Sequence, residues 1–270
     1  MKRIGLYVLA VAMALLLALP LLLMLGNSLK DPLELQQGSF LSWPMAPTLA
    51  SWHKAWQLLR GSFGASLLMA VPTVLLSALL AAINGFVLCK YRFRGDRWVG
   101  LLLVLAFFLP IKVYLLPLAI TMAQLGLERS LPLLILIHVI YSLPLALFFR
   151  NHFLAFPDEL LHAARLDGAS FWQLLWRLVL PLSRPIFVVV LILQFTTIWN
   201  EYLFGLVFGP DGARPITAAL AQLAAQTESG ARSYPLEMAA AMLAALPTLL
   251  VYLLAGRHFT RGLVAGAVKG

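Results

Sequence analysis

Charge is scarce in this sequence. Aspartate, glutamate, lysine and arginine make up 11% of its 270 residues, 61% are hydrophobic and mean hydropathy is +0.90. A soluble domain carries about a quarter charged residues, so most of this chain cannot be solvated by water. Cys89 is the only cysteine, which excludes an intrachain disulfide and a cysteine-based zinc site. There is no GxxxxGK[ST] loop, no HExxH pair and no nucleophile elbow, and the five histidines are scattered. Nucleotide hydrolysis, metal chemistry and acyl transfer therefore have no recognisable site, and the expected metal complement is none. The formal charge of +9 raises nucleic acid as a partner. Its basic residues stand singly between apolar runs, however, with no patch or aromatic groove, and nucleic acid is excluded.

What the chain has instead is long apolar runs. Crossing the hydrocarbon core takes about 20 apolar residues in a helix, because the backbone must satisfy its own polar groups there. Six segments qualify: Ile4–Leu25, Phe63–Leu88, Trp98–Ile120, Leu131–Phe149, Ile186–Phe208 and Met238–Gly256. The expected fold is an all-α integral membrane protein, one transmembrane domain over 1–270 with its functional partner in part the lipid bilayer. Prolines 20, 72, 110, 117, 144 and 247 fall in these runs and predict kinks. The first run, preceded by Lys2 and Arg3, is longer than a signal-peptide core and reads as a retained helix.

An even number of spans puts both termini on one side. With the amino terminus inside, inner segments hold thirteen basic residues: Lys2, Arg3, Lys90, Arg92, Arg94, Arg97, Arg150, Arg165, Arg177, Arg184, Arg257, Arg261 and Lys269. Outer loops hold six, namely Lys30, Lys54, Arg60, Arg129, Arg214 and Arg232. Short basic loops such as Lys90–Arg97 set orientation, so both termini are expected in the cytoplasm. The outer stretch Gly26–Ser62 contains Trp43, Trp52 and Trp56, which suit either the membrane interface or the docking of a soluble partner.

The longest inner loop, 150–184, reads as two short helices around a turn. Pro157, Asp158 and Glu159 suit a first helical turn. Asp167-Gly168 makes a break, and Ser170 with Gln173 fits a capping box. Pro181 and Pro185 close the second helix. Small side chains at Ala163 and Ala164 permit close approach by another protein. A helix lying on the membrane surface fits the same pattern.

The run Glu159-Leu-Leu-His-Ala-Ala-Arg-Leu-Asp-Gly-Ala-Ser170, followed by Leu180-Pro181, resembles the EAA loop of permeases in binding-protein-dependent ABC importers. The resemblance extends to Pro20 and Ser28-Leu-Lys30, to Trp199-Asn-Glu-Tyr-Leu-Phe204, and to the tail Arg261-Gly-Leu-Val-Ala-Gly-Ala-Val-Lys-Gly270. It is similar to the carbohydrate-uptake class that includes the maltose system's smaller permease. The nearest likeness is to glucose/mannose-type permeases, through Asn84-Gly85, Arg92-Phe-Arg-Gly95 and Pro215-Ile-Thr217.

The resemblance implies a bacterial inner-membrane subunit without catalytic residues or a cofactor of its own. Its implied partners are a second homologous permease, two ATPase subunits that use ATP and Mg, and a periplasmic or surface sugar-binding protein. Coupling to the ATPase is assigned by resemblance to the 157–185 loop: Glu159, His162, Ala163, Ala164, Arg165, Asp167 and Gly168. The cytoplasmic tail includes Lys269 and Gly270. The family usually has glutamate at the position of His162, and a neutral histidine cannot form that ion pair.

Several polar residues lie within or near spans, where charge costs about 2.5–3.5 kcal/mol and normally faces protein or water. Lys112 fits either pathway lining or snorkelling. His138 reads as a satisfied helix–helix contact. Resemblance puts Asn200 and Glu201 near the translocation pathway. Two other functions compete, an ion-gradient transporter and a non-transport membrane scaffold. The former predicts inverted repeats and paired intramembrane ionisable groups, and neither is evident.

Overall fold

A computed structural model describes residues 2–127, 129–228 and 233–267, and among these the regular structure is entirely helical. Helices α1 (Lys2–Ser28), α2 (Pro32–Gln37) and α3 (Ala50–Lys90) are followed by α4 (Asp96–Phe108) and α5 (Leu115–Gln124). Then come α6 (Leu131–Tyr141), α7 (Ala146–Leu154), α8 (Asp158–Leu166) and α9 (Phe171–Leu174). A π-helical turn, Leu175–Val179, leads to α10 (Leu180–Leu182), α11 (Arg184–Trp199), α12 (Leu203–Phe208), α13 (Ile216–Glu228) and α14 (Tyr234–Ala267).

Four helices among the described residues are long and apolar enough to cross a membrane: Ile4–Ser28, Ala50–Lys90, Leu131–Leu154 and Tyr234–Gly256. The number reaches six if two bent pairs each count as one span. These are Asp96–Phe108 with Lys112–Gln124, bent by 88°, and Phe171–Leu182 with Arg184–Trp199, bent by 78°. The expected continuous span at Trp98–Ile120 is thus two helices. Pro110 has no N–H to donate and holds Leu109 extended, at φ −76° and ψ 125°. The expected span Ile186–Phe208 is also interrupted, at residues 200–202. With 16 residues, α11 rises about 24 Å, short of a hydrocarbon core of about 30 Å. By contrast Pro20, Pro72 and Pro247 lie inside unbroken helices.

The chain divides into two compact units, one of residues 1–64 and 216–247, the other of 65–215 and 248–270. In the first, the segment after α1 is organised by a buried cation. Lys30 is 1% exposed and its Nζ donates to Asn27 Oδ1 (2.8 Å), the Ser39 carbonyl (2.8 Å) and Ser42 Oγ (3.2 Å). All three of its protons are thereby used. Asn27 in turn donates to the Leu23 and Phe40 carbonyls, and Trp52 Nε1 donates to Ser28 Oγ. Trp43 lies over Gly26, where a Cβ would come within 2.6 Å of its ring. The stretch between α1 and α3 is therefore ordered, with Trp52 tied inward while Trp43 and Trp56 stay exposed.

In the second unit, Ala78, Ala81, Ala82 and Phe86 of α3 pack with Phe149 and Phe153 of α7. Leu161 of α8, Leu174, Leu175, Val179 and Val190 complete this core. The small residues of α3 bring backbones close, as helices in lipid require in the absence of a hydrophobic drive between them. At Gly85 a Cβ would lie 2.7 Å from the Ala146 carbonyl and 2.8 Å from the Arg150 nitrogen, so only glycine fits the crossing.

Replacing Lys30 with methionine leaves the buried Asn27 Oδ1, and the oxygens of the more exposed Ser39 and Ser42, short of a donor. The expected cost is about 2–3 kcal/mol, read as a lower thermal midpoint of the purified protein. Lys54→Met, at an exposed position, should leave the midpoint unchanged.

Candidate functional site

The segment after α7 folds locally as its residues dictate. Pro157 is the residue before α8 rather than within it, and Asp158 and Glu159 occupy the first turn. The helix ends where Gly168 adopts φ +82°, a left-handed conformation that favours glycine. The Asp167 and Ala169 amides donate to the Ala163 and Ala164 carbonyls, closing the helix end. The Ser170–Gln173 capping box then starts α9. Pro181 withdraws an N–H from the fourth residue back, which is where the π-helical turn lies. Ser183, whose Oγ donates to the Val179 carbonyl at 2.6 Å, and Pro185 mark the bend into α11.

Within α8, Leu161 is buried in the core and Ala164 is half-buried against it. Glu159, His162, Ala163 and Leu166 are exposed and share one face at i, i+3, i+4 and i+7. Leu166 is 89% exposed. Of the expected pair of accessible alanines, only Ala163 is on the open face, because Ala164 follows Leu161 by three residues on the inner one. The apolar residues of α8 are likewise divided, with Leu161 buried while Leu160 and Leu166 are exposed.

Both ends of α8 are tied to the end of α3. Lys90 Nζ donates to Asp158 Oδ1 at 2.7 Å and to the Phe156 carbonyl at 3.0 Å, with the lysine side chain 9% exposed. At the other end the Arg165 guanidinium lies 5.2 Å from the centre of the Tyr91 ring, a cation–π contact. The hydrogen bond from Lys90, with its charge, holds the Asp158 carboxyl below its usual range. In the sequence Lys90 reads only as a marker of orientation, and Tyr91 carries no signal of its contact with Arg165. No local signal links Lys90 to Asp158, 68 residues away.

The expected pathway residues sit apart from this loop. Lys112 is exposed in a 3-10 turn, Ile111–Tyr114, between α4 and α5. Asn200 is exposed and donates to the Thr196 carbonyl. The Glu201 carboxylate caps α12, accepting from the Leu203, Phe204 and Gly205 amides at 2.9, 3.0 and 3.3 Å. His138 donates from Nδ1 to the Leu134 carbonyl at 2.7 Å. That bond stays within α6, so on this side the ring is satisfied by its own helix rather than by the expected helix–helix contact. The buried Nε2 makes no hydrogen bond among the described residues and lies 3.9 Å from Glu201 Oε2. Gln194 donates to Ser142 Oγ, which donates to the His138 carbonyl. Lys269 and Gly270 lie outside the described residues.

Three comparisons bear on this geometry. Residues 38–264 match the family model described as "Binding-protein-dependent transport system inner membrane component". The chain is 41% identical over 189 residues to a probable ABC transporter permease protein of Pyrococcus horikoshii, covering 69% of this chain and 68% of the relative. It is 34% identical over 250 residues to the xylose/arabinose import permease protein XacI of Haloferax volcanii, covering 82% and 80%. Its fold matches a subunit of a bacterial ABC transporter involved in the import of the acidic polysaccharide alginate, with a TM-score of 0.82 over 96% of each chain at 20% identity.

Loss of the Lys90 contact should loosen α8. Deuterium uptake by amides 158–166, measured by mass spectrometry, should rise several-fold in Lys90→Met and in Asp158→Asn, and no further in the double variant. Arg92→Met should leave it unchanged. Because the Asp158 pKa is depressed in the folded state, its contribution is complete above the ordinary carboxylate value of about 3.9. It is lost as pH falls through the lower folded value. Corrected for intrinsic rates, protection of α8 should be constant from about pH 8 to 5 and fall only below about 4.

Proposed function

The chain belongs to the family of binding-protein-dependent transport system inner membrane components, and from that premise we propose that it lines the pathway of an ATP-driven sugar importer. It is a non-catalytic, multi-pass permease subunit of an ABC-type importer, working with ATPase partners and a substrate-binding protein. In our reading it pairs with a second homologous permease, and two ATPase subunits engage the 157–185 loop. A likeness to a xylose/arabinose import permease supports carbohydrate as the cargo, and we assign a neutral sugar of the glucose/mannose kind. Gly85 and Gly95, which carry part of that finer likeness, have structural reasons of their own. One sits in a close helix crossing and the other at φ +92°.

The observation that carries the coupling role is the division of α8. Its inner face is anchored by Leu161 and both ends are tied to α3, while Glu159, His162, Ala163 and Leu166 remain open. A short helix held this way moves as a body with the spans behind it. In the mechanism we favour, ATP binding closes the ATPase dimer and α8, seated on it, carries the displacement into α3. The pathway then turns from inward to outward access, and hydrolysis resets it. The family's glutamate is replaced by His162, so the contact on the ATPase is expected at the same place with altered charge.

The test is sugar-stimulated ATP hydrolysis by the reconstituted complex, with retention of ATPase subunits measured alongside. Gly168→Val, which forces a β-branched residue into a left-handed turn, should lower stimulated hydrolysis and uptake several-fold while the protein still inserts. His162→Glu should change coupling, upward if a basic residue faces it and downward if it leaves an unpaired charge. Unchanged retention and hydrolysis in both His162→Glu and His162→Ala would remove α8 from the interface. Uptake that follows an ion gradient without ATP would instead favour a secondary transporter.

Orientation is tested separately. In a Cys89→Ser background, cysteine at Met45, which is 94% exposed, should react with an impermeant thiol reagent added outside. Cysteine at Arg94 should react only after the membrane is opened. The reverse pattern would invert the assigned topology.

A further inference from the structure

Where α4 begins, the second unit contains a cavity of about 310 Å³ lined by three arginines, Arg92, Arg97 and Arg150, and a single acid, Asp96. Asp96 is already engaged. Its Oδ2 lies 3.5 Å from Arg92 and its Oδ1 accepts from the Arg97 backbone amide at 2.6 Å. The Arg97 and Arg150 guanidiniums make no hydrogen bond or ion pair among the described residues. Three arginines against one aspartate leave the lining with two positive charges in excess.

The remaining walls are apolar, from Leu101, Val104 and Leu147. Gly100 also lines the cavity, and a Cβ there would meet no atom within 4 Å. Beyond the arginines, α4 presents Leu101, Leu102, Leu105 and Phe108 at 47%, 63%, 51% and 77% exposure, a surface for lipid chains. Trp98, 70% exposed, stands at the changeover from charged to apolar residues, where tryptophan marks the membrane boundary.

We propose that this cavity binds the phosphate headgroup of an anionic phospholipid, with the acyl chains lying along α4. Guanidinium groups match phosphate oxygens in paired hydrogen bonds, and basic pockets between membrane helices suit such headgroups. The volume is at the lower end for small-molecule sites, enough for a headgroup and too small for its chains. The inference requires that the chain spans a membrane and is independent of the sugar and of the ATPase contact.

The intact transporter, stripped of lipid in detergent, is titrated with phosphatidylglycerol carrying a fluorescent acyl chain. Saturable binding is expected, without competition from phosphatidylcholine. Arg97→Gln and Arg150→Gln should each weaken it by about fivefold. Gly100→Leu, which adds bulk to the lining and leaves the charges, should weaken it comparably. Arg94→Gln, in the same basic segment but outside the cavity, should have no effect. An equal loss in Arg94→Gln would mean diffuse surface charge and overturn the site. Displacement by millimolar inorganic phosphate as effectively as by unlabelled lipid would identify a free phosphate as the ligand and overturn the lipid assignment. Unchanged lipid binding with loss of ATPase subunits from the arginine variants would make this face a protein interface. Co-elution of the complex in each variant reports correct assembly.

Discussion

Inside hydrocarbon a peptide group has no water to turn to, so a helix can be interrupted only where something else meets its freed amides and carbonyls. The second unit is arranged around that constraint. At the break between α6 and α7, the Ser142 hydroxyl takes the His138 carbonyl and is itself approached by Gln194. At the break between α11 and α12, the Glu201 carboxylate accepts three amides of the new helix. Each is a polar side chain placed within an apolar run because the backbone needs it there. Glu201 is therefore first a structural residue. Its proximity to His138 puts two polar groups of different chemistry side by side in a low-dielectric setting.

Breaks at such places give short, stiff helical pieces rather than uniform rods. The α8 segment, in the loop between spans, is likewise a short piece. Its inner residues join the aromatic and alanine core around Phe86, and its ends are bound to Lys90 and Tyr91 at the terminus of α3. Lys90 also completes the carboxyl end of a 41-residue helix, where a cation complements the unpaired carbonyls. One side chain thus joins the end of a long helix to the start of a short one. That geometry supports reading α8 as a mechanical element, whereas a helix merely adsorbed to lipid would have no need of two anchored ends.

The segment between α1 and α3 obeys a related rule under different chemistry. Lys30 is buried with neutral partners only, and its charge is shared among a side-chain amide oxygen, a carbonyl and a hydroxyl. These bonds keep the turn after α1 folded, and with it the exposed Trp43 and Met45. Surfaces that meet a partner or a membrane interface benefit from such a rigid base, because less order has to be gained on contact.

How much was legible in the residues depends on the range of the interaction that decides each feature. Long apolar runs had to become membrane helices, since an unpaired backbone is intolerable in lipid, and that follows from local composition. The capping box at Ser170 and Gln173 and the turn at Gly168 are equally local, set by hydrogen bonds and backbone angles within a few positions. The helical extension of α3 back to Ala50 was less visible. Ser51, Ala55 and Leu59 recur every four residues on a buried face, but Lys54 and Arg60 lower the hydropathy that marks a span. Which prolines break a helix, whether Ala164 turns inward, that Lys90 meets Asp158, and that Arg97 and Arg150 share a cavity are all tertiary outcomes. They depend on residues far apart in sequence being brought within a few ångströms. Composition and spacing along one chain carry no record of that distance, so only the folded structure decided them.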